Sequence, residues 1–292
     1  MAADEIARTL GAQESLDPIA TTVQEVIRAL FEGAGAAGQQ AKDFLHGSAL
    51  GHPLHPALVE LPVGAWTVAA ILDALEVTGL RRRDGFGDTA IKIGLVGALG
   101  AAVAGATDWS ETDGPAKRIG LVHGVLNLTA VGLYATSLLF RGRRSRSTGI
   151  ALSMTAFGVA MSSAFLGGHL TYGEQIGVDH TATADQDTPK KFVDVLAASA
   201  LAENKPTKVT ADGVAVVLVK RGDTIHALRE TCTHLGGPLS EGKIEGDGIR
   251  CPWHGSRFCL SDGKVLDGPA VFPERVFDVR VREGRIEVRA RE

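Results

Sequence analysis

The sequence predicts a multi-domain chain, an all-α four-helix transmembrane bundle followed by an all-β domain. Charge is nearly absent from long stretches between residues 56 and 173 and dense from 187 onward. Within the first region, apolar segments reach the length of roughly 18–20 residues that a helix needs to cross a bilayer. From Phe192 the pattern changes to short β-rich runs separated by turn residues.

The 292 residues set a prior of about two domains. A hydrophobic content of 45% argues against intrinsic disorder, and three cysteines cannot staple a chain of this size. A net charge of −4 gives no reason to expect nucleic acid. The expected boundaries are an N-terminal tail over 1–45, the bundle over 46–173, a linker over 174–190 and the C-terminal domain over 191–292. In the tail, Asp17-Pro18 can open an amphipathic helix carrying Ile19, Val23, Val26, Ile27, Leu30 and Phe31. No basic stretch leads into an apolar core there, so no cleavable signal peptide is expected.

The four spans are expected near Ala57–Val77, Ala90–Thr107, Ile119–Phe140 and Ser147–Gly173. The last two contain no Asp, Glu, Lys or Arg. Gly94, Gly97, Gly100, Ala101 and Gly105 in the second span, and Gly158, Ala160, Ser162, Ser163 and Gly167 in the fourth, permit close helix contact in lipid. Arg81, Arg82, Arg83, Lys92, Arg141, Arg143, Arg144 and Arg146 flank one end of the bundle, against Lys42, Lys117 and Arg118 at the other. The positive-inside rule then puts the arginine-rich loops in the cytoplasm and both termini outside. The expected location is a bacterial cell membrane, crossed several times. Arg143-Arg144 is an internal candidate for a twin-arginine-like signal.

That topology gathers His52, His55, His123, His169 and Asp108 at the outer end of the bundle. Ionisable residues at such depth point to function. Imidazoles there could bind a metal, hold haem b axially, or accept a proton from a quinol. Each could also simply bond a neighbouring helix, and spacing does not choose. Asp73 and Glu76 are expected as solvated carboxylates at the inner interface. His46, His180 and His226 carry no pattern and read as surface or structural residues. Residues 44–180 resemble an uncharacterised family of four-span bacterial membrane proteins. The resemblance runs through Gly51-His52-Pro53-Leu54-His55-Pro56, Thr107-Asp108-Trp109, His123 with Asn127, and Gly167-Gly168-His169-Leu170 with Tyr172. It implies the bundle and no established activity.

In the C-terminal domain, Val214–Val219 and Ile225–Leu228 flank an Arg221-Gly222-Asp223 turn, and Val276–Val281 and Arg285–Arg289 form a hairpin about Glu283-Gly284. Two Cys-His pairs, Cys232-Thr233-His234 and Cys251-Pro252-Trp253-His254, suit either a tetrahedral zinc or a [2Fe–2S] cluster. The longer stretches, Cys232 to Leu239 and Cys251 to Phe258, with Asp262-Gly263 and Gly268-Pro269-Ala270, resemble the cluster loops of Rieske proteins over about residues 192–290. By that resemblance Cys232 and Cys251 bind one iron and His234 and His254 the other. Ser256 stands where quinol-oxidising members place a hydrogen-bond donor that raises the potential. Gly237 and Trp253 replace the two cysteines of those members' disulfide, and Phe258 replaces their tyrosine. The resemblance therefore implies an intermediate potential. Cys259 falls outside both loops and is expected as a buried small residue.

The reading that follows is a membrane-bound electron carrier. Its cofactors are a [2Fe–2S] cluster and a haem b or quinone at the outer rim, its partners a redox protein or quinone and membrane lipid. The alternative is a tethered Rieske ferredoxin serving a separate oxygenase or reductase, with the bundle only an anchor. A weaker alternative has the bundle handle a metal ion while the cluster senses redox state. A self-contained Rieske oxygenase is not expected, since no second catalytic domain follows the cluster loops before Glu292.

Overall fold

The computed structural model describes residues 2–80, 84–143, 145–182 and 188–291. Arg81–Arg83 and Arg144, which the orientation count and the twin-arginine reading use, lie outside them, as do residues 183–187 of the expected linker. The chain forms two units, Met1–Gly38 with Pro53–Ile176 and Gln39–His52 with Gly177–Glu292.

Among the described residues, seven α-helices run α1 (Ala2–Gly11), α2 (Asp17–Gly33), α3 (Gly35–His46), α4 (Leu54–Val77), α5 (Phe86–Trp109), α6 (Gly114–Arg143) and α7 (Arg146–Tyr172). The last four are long and apolar enough to cross a membrane. Glycines let bulky side chains of one span lie on the backbone of the next: Trp66 covers Gly94, Trp109 covers Gly120, and His55 lies 2.7 Å from where a Cβ of Gly105 would stand. Trp66 in turn stacks on Tyr134 at 4.4 Å between ring centroids. In lipid such contacts replace the hydrophobic effect as the source of helix association.

Asp73 departs from expectation. It is fully buried rather than solvated, because the Arg141 guanidinium grips both its oxygens and also bonds Asp88 at 2.9 Å, Ser137 at 3.0 Å and Ser153 at 2.6 Å. Arg146 likewise holds Glu76 at 2.5 Å and Asp88 at 3.1 Å. All four spans are thus tied at the end where α4 finishes and α7 begins. Two arginines of the orientation count are internally paired rather than free loop charges.

α2 also departs. Asp17 does not cap it; its carboxylate instead takes a forked bond from Arg118 at 2.9 and 2.7 Å. The polar side of α2 faces the bundle, with Gln24 donating to the carbonyls of Trp109 and Thr112, while Ile19, Val23, Val26 and Leu30 stay exposed. At the same end, α1 buries Ala7 with Ile119 and Leu166.

The C-terminal part of the second unit is built of strands: β1 (Val193–Ala197), β2 (Thr207–Ala211), β3 (Val214–Arg221), β4 (Thr224–Arg229), β5 (Lys243–Glu245), β6 (Gly248–Arg250), β7 (Arg257–Cys259), β8 (Val265–Asp267), β9 (Phe277–Arg282) and β10 (Arg285–Ala290). Three antiparallel sheets have orders β1-β10-β9, β2-β3-β4 and β5-β6-β7-β8. β3 is buried on both faces: Val216 and Leu218 enter a core with Phe277, Ile286 and Val288, and Val217 and Val219 enter a second with Leu228, Ile249, Phe258 and Leu260. That double burial is why β3 reads as a continuous apolar run. The predicted hairpin closes through Glu283 and Gly284, both at positive φ, the geometry a two-residue turn between twisted strands requires.

The expected linker is partly built into this unit. The His180 N–H bonds the Thr233 carbonyl at 3.1 Å, Thr181 is buried, and Pro189 accepts from the Ala290 N–H at 2.7 Å. The span of chain free to act as a tether is correspondingly shorter than 174–190.

Candidate metal centre

The two Cys-His loops are built alike although their sequences differ. The first joins β4 to β5 and the second joins β6 to β7. In each, the cysteine N–H bonds the carbonyl five residues on, Cys232 to Gly237 and Cys251 to Ser256, both at 2.8 Å. The cysteine carbonyl accepts from the residue four on, Gly236 at 2.9 Å and Gly255 at 3.2 Å. Gly236 and Gly255 both have φ near +80°, the left-handed conformation that glycine adopts without strain.

The two turns bring the His234 and His254 rings together. Cys232 and Cys251 are buried and form no disulfide. The Cys232 S–H and the backbone N–H groups of Trp253 and His254 draw the Cys251 thiol down to about 7. Cys251, with burial, holds the Cys232 thiol up. The rings of His234 and His254 stand edge to face with centroids 5.0 Å apart. Burial first, then the neighbouring His254, His46, His180 and Lys42, keeps His234 neutral well below its ordinary pKa. Its Nδ1 is fully buried with no hydrogen-bond partner. A buried imidazole nitrogen without a partner is costly unless something ligates it. Two thiols and two imidazoles are the donor types that a [2Fe–2S] cluster with unlike irons takes.

Comparison with known proteins agrees. Residues 191–280 match the Rieske [2Fe-2S] domain model, and residues 51–180 match a predicted membrane protein family, DUF2231. Ferredoxin CarAc of Metapseudomonas resinovorans is 39% identical over 98 residues, which are 33% of this chain and 92% of the relative. The ferredoxin component of the naphthalene 1,2-dioxygenase system of Pseudomonas putida is 30% identical over 96 residues, 33% of this chain and 92% of its own. Among solved structures, the ferredoxin of carbazole 1,9a-dioxygenase from Nocardioides aromaticivorans IC177 is 31% identical, covering 35% of this chain and all of that one, with a TM-score of 0.34. The chain belongs to the Rieske [2Fe–2S] family. A Rieske domain implies a [2Fe–2S] cluster and single-electron transfer, and the ferredoxin components among its relatives fit a role as electron carrier.

The departures from the quinol-oxidising Rieske pattern have a packing reason. A Cβ on Gly237 would fall 2.8 Å from the Cys251 Sγ and 3.1 Å from the Trp253 ring, so Trp253 occupies the space beside the glycine. Ser256 is fully buried, and its Oγ accepts from the Ala270 N–H at 2.9 Å, which leaves its own hydrogen free to donate. Phe258 is core. Cys259 is half-buried rather than buried, 3.2 Å from the Ser261 hydroxyl, because it sits on the short β7. Sequence reading missed Glu274, which is buried and accepts the Thr233 N–H at 2.7 Å between Cys232 and His234. Burial raises its carboxyl well above the usual range. No motif marks it.

The membrane candidates are less unified. Nδ1 of His55 lies 2.8 Å from the Ala101 carbonyl. Since a carbonyl only accepts, Nδ1 carries the hydrogen. Nδ1 of His123 donates in the same way to Ser163 at 2.9 Å, while its Nε2 accepts from Asn127 at 3.1 Å. His169 instead turns to Glu174 at 3.5 Å. His52 is exposed and Asp108 half-buried. Among the described residues, no three His, Cys, Asp or Glu side chains converge as a mononuclear metal site.

Proposed function

We propose that the protein is a membrane-tethered Rieske ferredoxin, passing single electrons through a cluster held by Cys232 and Cys251 on one iron and His234 and His254 on the other. The observation that carries this is the pair of matching loops that carry two buried thiols and a buried, unpartnered imidazole nitrogen. The ferredoxin relatives support a separate redox protein as partner.

The hydrogen bonds of the bundle favour its role as an anchor over a haem site. An axial ligand needs a free lone pair, and that of His123 Nε2 is already engaged by Asn127. A quinone site would rest on His55, whose Nε2 lone pair the Ala101 bond leaves in place. We place the Rieske unit on the outer face from the loop arginines. A compartment-specific reporter at the C terminus tests that placement, and a cytoplasmic signal would overturn it. For the function itself, iron analysis and the low-temperature electron paramagnetic resonance of the reduced chain are compared with those of Cys232→Ser and His234→Ala. We expect about two irons per chain and a Rieske signal, with both lost in each variant. A signal that survives both variants would refute the ligand set.

A further inference from the structure

The segment Gln39–His52 precedes the first span in sequence yet folds as part of the Rieske unit. It packs on the loop that follows β8. The Asp43 carboxylate accepts the Gly268 N–H at 2.7 Å, and Gln39, one turn earlier on α3, donates to the same oxygen at 2.9 Å. Ser48 donates to the Ala270 carbonyl at 3.4 Å. Contact is close enough that a Cβ on Gly268 would stand 3.1 Å from the Ser48 Oγ, 3.2 Å from Asp43 and 3.4 Å from the His46 ring. His46, expected as a surface or structural residue, is 2% exposed.

This loop bears directly on the cluster site. Its Ala270 N–H bonds Ser256, whose carbonyl takes the Cys251 N–H. Trp253 is 56% exposed beside His254. The loop that bonds Ser256 is therefore packed under a segment outside the Rieske fold proper, while Trp253 is open.

We propose that Gln39–His52 is a working part of the electron-transfer site, a cap over the Gly268–Ala270 loop beside Ser256, with Asp43 the positioning residue that holds that loop closed. This rests on the cluster proposed above. The cap keeps water and bulky reagents from that loop, so exchange with a redox partner runs through the Trp253 side. Asp43 acts through a hydrogen-bond acceptor rather than through its charge.

The test uses the full chain in detergent, with cluster content first established by iron analysis and electron paramagnetic resonance. A wild-type protein without a cluster defeats the functional proposal, whereas the outcomes below bear on the cap alone. The reduced protein is exposed to bathophenanthroline disulfonate, a bulky water-soluble iron chelator, and bleaching is timed. Asp43→Ala should bleach about tenfold faster, the factor that loss of one hydrogen bond gives a local opening equilibrium. Asp43→Asn, which keeps the acceptor oxygen, should bleach at the wild-type rate. Should Asp43→Ala fail to hold a cluster, Gly268→Ala pushes on the cap from the other side and should give the same acceleration. A wild-type rate in Asp43→Ala, or in Gly268→Ala where that replaces it, overturns the proposal. So does equal acceleration in Asp43→Asn and Asp43→Ala.

Discussion

Trp253 packs against the backbone of Gly237, its ring 3.1 Å from where a Cβ on that glycine would stand. The same imagined atom falls 2.8 Å from the Cys251 Sγ. Residue 237 is therefore a glycine for close approach, and the loops hold their relative position by packing where a disulfide has no room. Gly237→Ala should displace the thiol and cost about 1–3 kcal/mol, as overpacking does. Iron content and the temperature at which the cluster bleaches should both fall.

Glu274 gives a pH dependence with a definite sign. Burial raises its carboxyl well above the ordinary glutamate value, so across the interval between the two the folded chain holds a proton that the unfolded chain has released. Stability then falls as pH rises through that interval, by at most about 1.4 kcal/mol per pH unit. Glu274→Gln keeps an acceptor for the Thr233 N–H and should flatten the slope. Bleaching temperature measured against pH in both proteins checks this.

The Asp73–Arg141 pair predicts a different failure. Both side chains are 1% exposed, so removing one partner strands a buried charge. Asp73→Ala should destabilise the bundle by about 3–5 kcal/mol. Asp73→Ala with Arg141→Leu should recover part of the loss. Thermal unfolding of the helices in detergent reads both, and the cluster spectrum of either variant should be unchanged.

His123 is a tie between α6 and α7 through Ser163. His123→Ala should cost about 0.6–1.7 kcal/mol, the range for interhelical hydrogen bonds in membranes. Reduction and reoxidation of the cluster should proceed at the wild-type rate, which rapid-mixing absorbance measures.

The spans and the cluster loops were legible because each has a local signature: uncharged length for α4 to α7, and Cys-X-His and Cys-X-X-His at the two metal loops. Long-range pairings left no such mark. Asp73 looks like an interfacial carboxylate until Arg141, 68 residues away, is seen to hold it. Asp43 meets Gly268 across 225 residues, and Glu274 reaches Thr233 from a loop with no motif. The polarity of α2 was visible, but not that its polar side would turn inward, because that depends on the carbonyls of Trp109 and Thr112 at the end of α5. The short strands β5 to β8, three residues each, are too brief for periodicity to register.

The proposed tethered ferredoxin has the cluster as its redox centre. The optical spectrum of the detergent-purified chain, oxidised and then dithionite-reduced, with pyridine haemochrome analysis of protein made with ample haem, tests this. Such a ferredoxin gives broad, weak Rieske absorption, about two irons per chain and no haem. A Soret band with a sharp reduced α band, lost on His123→Ala or His169→Ala, would contradict it and make the bundle a second redox centre.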